Sequence, residues 1–322
     1  MPEFLAPTPA TPYAIVQAGA GEPIEAVPTA AIGELFRTHG AVLLRGFPVD
    51  LEGFHAFTDI WCASSVFNES PDRRLLDEAH NIQSVNGGSA PFPLHPELSR
   101  EPWKPDVCFF FCLQPPVSGG ETTVCDGAEI VRRLPADIRD AMAARRLLYV
   151  QPALPETLSY WLGEAEPSDA RLASPPASCP YRFVRTPAGV MRVFTRPMLH
   201  RTRFGNQPAF GNFLLFARDY LGLPNFPVMD NGQRVPDAWM DAVRQAAADI
   251  TAPILWLPGD LLMVDNSRVM HGRRAIIDAD NRLIASYFGY LRDAAPDPEE
   301  PADPPWRRAM FRPPTAEAGV SV

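Results

Sequence analysis

The run Val107-Cys108-Phe109-Phe110-Phe111-Cys112-Leu113 narrows most sharply what this chain can fold into. Residues 106–114 read as a strongly apolar strand. Successive side chains of a strand point to opposite faces, so Cys108, Phe110 and Cys112 share one face and Phe109, Phe111 and Leu113 the other. Other short strands are expected at 41–47, at 252–257 and 261–265 around the turn Pro258-Gly259-Asp260, and at 282–292 after the turn Asp278-Ala279-Asp280-Asn281.

Helices are expected between these strands. Residues 29–39 end at Gly40, and Asp50 caps a helix carrying Phe54, Phe57 and Trp61. Asp126 caps another to about residue 134, and further helices are expected over 135–146, 208–221 and 237–250. The last of these sets Trp239, Val243, Ala246 and Ile250 on one stripe. Residues 63–93 read as irregular around Gly87-Gly88, and 153–180 as a surface excursion. Residues 1–12 read as a tail, and from Ala294 a Pro-rich tail wraps the surface or moves. Many short strands with inserted helices make the chain mainly β with helical decoration, a jelly roll.

Composition removes some functions. The 322 residues carry a formal net charge of -9, and the basic residues come at most in adjacent pairs such as Arg73-Arg74 and Arg307-Arg308. Such pairs read as solvated faces, and without a basic patch nucleic acid is not an expected partner. The five cysteines are an odd number without a CxxC, which fits buried free thiols in a reducing, cytoplasmic setting. The start Met1-Pro2-Glu3-Phe4 shows no basic region followed by an apolar run, and no stretch is apolar enough to span a membrane. Oligomeric state is left open.

The chemistry gathers around His95-Pro96-Glu97 and the distant His271. Two positions apart on an extended strand, His95 and Glu97 point the same way. With His271 they make two imidazoles and one carboxylate, a set that leaves three positions open on a non-haem Fe(II). Alone, His-x-Glu is a short pattern that is commonly a hydrogen-bonded strand end and a surface glutamate. Asp265 or Asn266 is placed to orient His271. Arg282 opens the last long strand, either as an edge arginine or as a fork on a carboxylate, to which Thr122 could add its hydroxyl. Segment 83–92 borders the expected pocket, and Arg196, Arg201 and Arg203 are candidates for a substrate carboxylate or plain surface residues.

Taken together, Leu94 to Ser99, Pro105-Asp106, Phe109 to Pro116 and Gly119-Gly120-Glu121-Thr122 resemble the taurine dioxygenase-like superfamily of Fe(II)/2-oxoglutarate oxygenases. Pro258-Gly259-Asp260, Asp265-Asn266, His271-Gly272-Arg273 and Arg282 are similar to its second half, and Gly40 to Phe47 to its first strand. The resemblance covers about residues 28–292. It implies a double-stranded β-helix, Fe(II) on His95, Glu97 and His271, O2 as cosubstrate, and 2-oxoglutarate held by Arg282 with Thr122. It also implies one oxygenase domain over 13–293 with an insert at about 127–250, followed by the tail 294–322.

Two departures narrow the class. Glu97 stands where the taurine enzymes carry aspartate, which resembles the clavaminate synthase, asparagine oxygenase and syringomycin-type hydroxylase branch. Its substrates are amino acids, free or tethered to a carrier protein, so a small-molecule substrate of that kind in specialised metabolism is expected. Sulfonate-binding relatives carry an arginine four residues beyond the cosubstrate arginine, where this chain has Ser286. Halogenases of the wider class have Gly or Ala in place of the carboxylate, so Glu97 points to hydroxylation, desaturation or cyclisation. The rival functions are a catalytically silent metal and 2-oxoglutarate sensor on the same fold and a zinc hydrolase using the same ligands. The second gives Arg282 and the Gly-Gly-Glu-Thr turn no role.

Overall fold

The computed structural model describes residues 1–277, 282–309 and 311–314. The expected turn Asp278-Ala279-Asp280-Asn281 lies outside the described residues. The apolar strand Val107–Gln114 sits in the middle of a nine-stranded sheet, between Leu261–Asp265 and Leu283–Leu291. Beyond Leu261–Asp265 the sheet continues with Ala41–Arg45, Ala14–Gln17 and Glu3–Leu5. Beyond Leu283–Leu291 it continues with Ile82–Ser84 and Leu75–Asp77, and Cys62–Ser65 also pairs there. A smaller sheet orders Ala252–Ile254, Thr122–Asp126, Val269–Arg273 and Phe92–His95.

The two sheets pack face to face as a double-stranded β-helix, the jelly roll. Their shared core joins Cys108, Phe110, Cys112, Leu262, Val264, Ile284 and Phe288 of the large sheet to Val124, Ile254 and Val269 of the small one. The opposite face of the large sheet, with Phe109 and Phe111, is covered by Thr29–His39 and Leu51–Trp61 through Ile32, Phe36, Phe54 and Phe57. The outer face of the small sheet, with Cys125 and Met270, is covered by Gly127–Arg133 and Asp237–Ala248. A strand apolar on both faces thus has two cores to serve.

Local chemistry explains the element starts. Asp50 Oδ1 accepts from the Gly53 amide at 2.8 Å, and Asp126 Oδ1 from the Ala128 amide at 2.8 Å, so both expected caps satisfy orphan helix donors. Arg45 and the buried Asp260 pair at 2.6 Å and tie neighbouring strands of the large sheet together. The five cysteines are free, four of them buried and Cys179 half-buried.

Several expectations are corrected. Segment 63–93 carries the short strands Leu75–Asp77 and Ile82–Ser84, which extend the large sheet. The excursion 153–180 contains the helices Pro155–Leu162 and Asp169–Ala173, whose Leu158, Trp161, Leu162 and Leu172 join the main core. A four-stranded sheet of Arg182–Thr186, Gly189–Pro197, Arg146–Pro152 and Val228–Met229 stands where no strand was expected. The helix expected over 208–221 is only Leu214–Asp219. Neither end is a loose tail throughout: Glu3–Leu5 pairs with Ala14–Gln17, and Trp306 is 1% exposed within the main core.

Candidate active site

His95 ends the strand Phe92–His95 and lies directly across from His271 on Val269–Arg273. The strands approach closely because position 272 is glycine: a Cβ there would stand 2.7 Å from the Phe92 carbonyl oxygen. Glu97 is not on an extended strand as expected. It lies in the turn after His95, next to Leu98 at φ 50°. Its direction comes from Asn266, whose Oδ1 accepts from the Glu97 amide at 2.8 Å while Nδ2 donates to the Glu97 carbonyl at 3.0 Å.

The donor atoms of His95, Glu97 and His271 lie within 4.8 Å of one another, with Glu97 and His271 buried. The Pro93 carbonyl accepts from His95 Nδ1 at 2.8 Å, which leaves Nε2 unprotonated and free to ligate. His271 Nε2 is 3.6 Å from Glu97 Oε2, and its Nδ1 is buried without a partner. Two imidazoles and one carboxylate at this spacing fit a divalent iron and suit no monovalent or purely oxygen-seeking ion better. Asp265 and Asn266 do not orient His271 as expected: Asp265 accepts from the Ser267 hydroxyl at 2.6 Å, and Asn266 serves Glu97.

Protonation already suits a metal. Burial, helped by the neighbouring His271, holds His95 down at about 4. Burial pushes the Glu97 carboxyl up, but the charge of Arg73 and the hydrogen bond from His271 outweigh it and hold it at about 2.

Arg73 and Asn68 are the functional neighbours that the sequence did not reveal. Asn68 Nδ2 donates to Glu97 Oε1 at 2.5 Å, and Arg73 Nη2 to Glu97 Oε2 at 3.2 Å. The Arg73 side chain is 5% exposed, so the reading of Arg73-Arg74 as a solvated pair is corrected for its first member. Arg73 turns inward and Arg74 outward.

A cavity opens in front of His95 and His271. Val85, Asn86, Phe92 and Phe110 line it, with Arg73, Arg273, Arg282 and Thr122. Segment 83–92 does border it, as expected. Arg282 Nε donates to the Gly120 carbonyl at 2.8 Å, and Nη2 reaches Thr122 Oγ1 at 3.4 Å. The Gly119-Gly120 turn permits this, since Gly120 has φ 70° and a Cβ there would stand 3.2 Å from Arg282 Cδ. Burial, with the nearby Arg273, lowers Arg282 to about 10. Trp256 Nε1 donates to Thr122 Oγ1 at 3.1 Å. Arg196, Arg201 and Arg203 lie away from this cavity: Arg196 pairs with Asp297, Arg201 donates to the Asn206 carbonyl, and Arg203 pairs with Asp106.

This fold, with that donor set at the mouth of an arginine-walled cavity, defines the non-haem Fe(II)/2-oxoglutarate oxygenases. The chain belongs to the taurine catabolism dioxygenase TauD, TfdA family, which matches residues 9–287. It is a dioxygenase that depends on Fe(II), 2-oxoglutarate and O2. Among curated relatives it is similar to the dapdiamide synthesis protein DdaC of Enterobacter agglomerans, 21% identical over 271 residues, 76% of this chain and 80% of that one. Among solved structures it is similar to PvcB of Pseudomonas aeruginosa, with TM-score 0.61 and 15% identity over 92% of this chain and 94% of that one. PvcB is an Fe, α-ketoglutarate-dependent oxygenase from an isonitrile synthetic pathway. A taurine dioxygenase of Burkholderia xenovorans has TM-score 0.61 and 14% identity, covering 93% of this chain and 92% of that one.

Proposed function

We propose that His95, Glu97 and His271 hold the Fe(II), that Arg282 and Thr122 hold 2-oxoglutarate, and that the enzyme oxidises an amino acid or amino-acid-derived metabolite. The carrying observation is the convergence of three donors within 4.8 Å on a cavity whose wall includes Arg282 and Thr122. The naming of DdaC for dapdiamide synthesis and the isonitrile pathway of PvcB support a place in specialised metabolism. The substrate is hydroxylated, desaturated or cyclised. Among the described residues no helix is long and apolar enough to cross a membrane, and free buried thiols support a cytoplasmic location.

With iron, 2-oxoglutarate and O2 bound, the site supplies decarboxylation of 2-oxoglutarate to succinate coupled to oxidation of a substrate C–H bond. The residues do the rest. Arg282 Nη1 has no hydrogen-bond partner among the described residues, and beside the second proton of Nη2 it can meet a carboxylate. Thr122 Oγ1 accepts from Trp256 and Arg282, which leaves its own proton to donate to the same carboxylate. Phe92, Phe110 and Val85 exclude water from the reacting bond. Glu97 fills the coordination position a halide would need, so oxygenated, desaturated or cyclised products are expected even in excess chloride.

Succinate formation from 2-oxoglutarate in the presence of Fe(II) and O2 tests this reading. His95→Ala and His271→Ala should abolish it. Arg282→Leu should raise the 2-oxoglutarate requirement by orders of magnitude, since each hydrogen bond to a charged group contributes about 1.5–3 kcal/mol. Near-native turnover in either histidine variant would remove the ligand assignment, and a folded, metal-loaded wild type that makes no succinate would point to a sensor.

A further inference from the structure

Arg73 is better placed than a counter-charge for Glu97 needs to be. Its side chain is 5% exposed, it lines the cavity in front of the metal ligands, and its Nε is buried with no partner. Nη1 donates to Ser286 Oγ at 3.0 Å, and Ser286 in turn donates to the Gln83 carbonyl at 3.0 Å. Gln83 Nε2 donates to the Asn68 carbonyl at 2.9 Å, and Asn68 returns to Glu97. One face of the guanidinium lies over the Phe288 ring at 5.0 Å. This ring of contacts fixes the guanidinium before any ligand arrives.

Charge then decides what the position is for. Among the described residues the cavity lining holds three arginines, Arg73, Arg273 and Arg282, and no acidic residue. Arg273 is occupied by the carbonyls of Asn86, Gly88 and Ala90, at 2.7, 3.0 and 2.7 Å. Arg282 is matched to the cosubstrate in the reading above. Once a divalent cation takes up the charge of Glu97, Arg73 keeps a buried positive charge with an unused N–H. Such a charge is costly unless an anion meets it.

We propose that Arg73 receives a free carboxylate of the substrate, so that the enzyme takes a free amino acid or related carboxylic acid, not an acyl group masked as a carrier thioester. This rests on the oxygenase site proposed above and settles which form of substrate that site takes. A planar fork matches a carboxylate at two oxygens. A thioester carbonyl carries no charge to offer it.

The test uses the whole chain loaded with Mn(II), which does not turn over, and 2-oxoglutarate. Melting temperature is followed while a panel of L-amino acids and simple aliphatic and aromatic acids is added, beside their carboxamides and their N-acetylcysteamine thioesters. At least one acid should stabilise the protein, and its carboxamide and thioester should bind at least tenfold more weakly. Arg73→Gln should erase the preference of acid over carboxamide, and Arg73→Lys should restore part of it. A purely structural Arg73 would change loading or melting without moving that ratio. The proposal is overturned if no acid binds, if thioester or carboxamide binds as well as acid in the wild type, or if Arg73→Gln keeps the preference. Failure of Mn(II) and 2-oxoglutarate to stabilise the wild type would instead remove the underlying site reading, and this one with it.

Discussion

Burial beside a second imidazole keeps His95 neutral, and Arg73 keeps Glu97 ionised, so two of the three donors await a metal in the protonation state it requires. The sign follows directly. An ordinary histidine, with a pKa of about 6.5, is roughly nine-tenths protonated at about pH 5.5 and must release that proton to ligate. His95, at about 4, is almost wholly deprotonated there, and so is Glu97, at about 2. Mn(II) binding at that pH, titrated calorimetrically in two buffers of different ionisation enthalpy, should release no more than one proton per ion. Release of more than one would show that His95 is charged in the metal-free protein. At this scale the five principal residues were legible, because each stands in a local pattern: His-x-Glu, His-Gly, Gly-Gly-Glu-Thr, and an arginine at a strand start. Arg73 and Asn68 were not. They reach Glu97 from a segment without periodicity, and nothing in a dipeptide Arg-Arg says which member turns inward.

The segment 86–90 has little regular structure of its own and is held from outside. Arg273, on the central pair of the small sheet, donates to four of its carbonyls, those of Asn86, Gly87, Gly88 and Ala90, and lies 4.8 Å over the Phe92 ring. Each such hydrogen bond contributes about 1.5–3 kcal/mol. Arg273→Gln should therefore accelerate amide exchange in residues 85–91 by about ten- to a hundredfold while leaving Val107–Gln114 protected, as local opening is independent of global unfolding. Hydrogen–deuterium exchange read by mass spectrometry checks this, and unchanged protection at 85–91 would show that the segment is held by other contacts. The large-sheet strands Ala41–Arg45, Val107–Gln114, Leu261–Asp265 and Leu283–Leu291 were readable because they are apolar along most of their length, whereas Thr122–Asp126 and Val269–Arg273 of the small sheet, with their polar residues, were not. The sheet of Arg146–Pro152 and Gly189–Pro197 was not: Gly189–Pro197 is half-buried along most of its length, and Arg192 and Arg196 interrupt its apolar residues. Its arginines lie flat on rings instead, Arg192 over Tyr181 at 5.1 Å and Arg196 over Phe194 at 5.0 Å, so charged residues there cover apolar surface.

Composition misleads most at the C-terminal end. A stretch rich in Pro, Asp and Glu reads as solvated chain, yet it supplies part of the core that encloses the site. Trp306 packs edge-on against Trp161, with centroids 6.3 Å apart, inside the same cluster as Phe110 and Phe288. Beside it Arg307 donates to both oxygens of Asp106 at 3.0 Å, and Asp106 is 1% exposed at its side chain. Asp106 also accepts from the Leu291 amide at 3.1 Å, so one buried carboxylate joins the end segment to the strand Leu283–Leu291. These contacts make the stability of the jelly roll depend on residues after it. Trp306→Ala removes a fully buried indole and should cost about 3–5 kcal/mol. That loss should appear as a lower urea midpoint with little change in slope. Removing residues 294–322 should lower the midpoint further, since Asp106 then loses Arg307 and among the described residues keeps only Arg203 as a charged partner. Succinate formation should fall in parallel with the folded fraction at each urea concentration, because Trp306 shares its core with Phe110, whose ring packs edge-on against His271. A shortened chain that unfolds at the wild-type midpoint would show that the end segment is an ornament on a barrel complete without it.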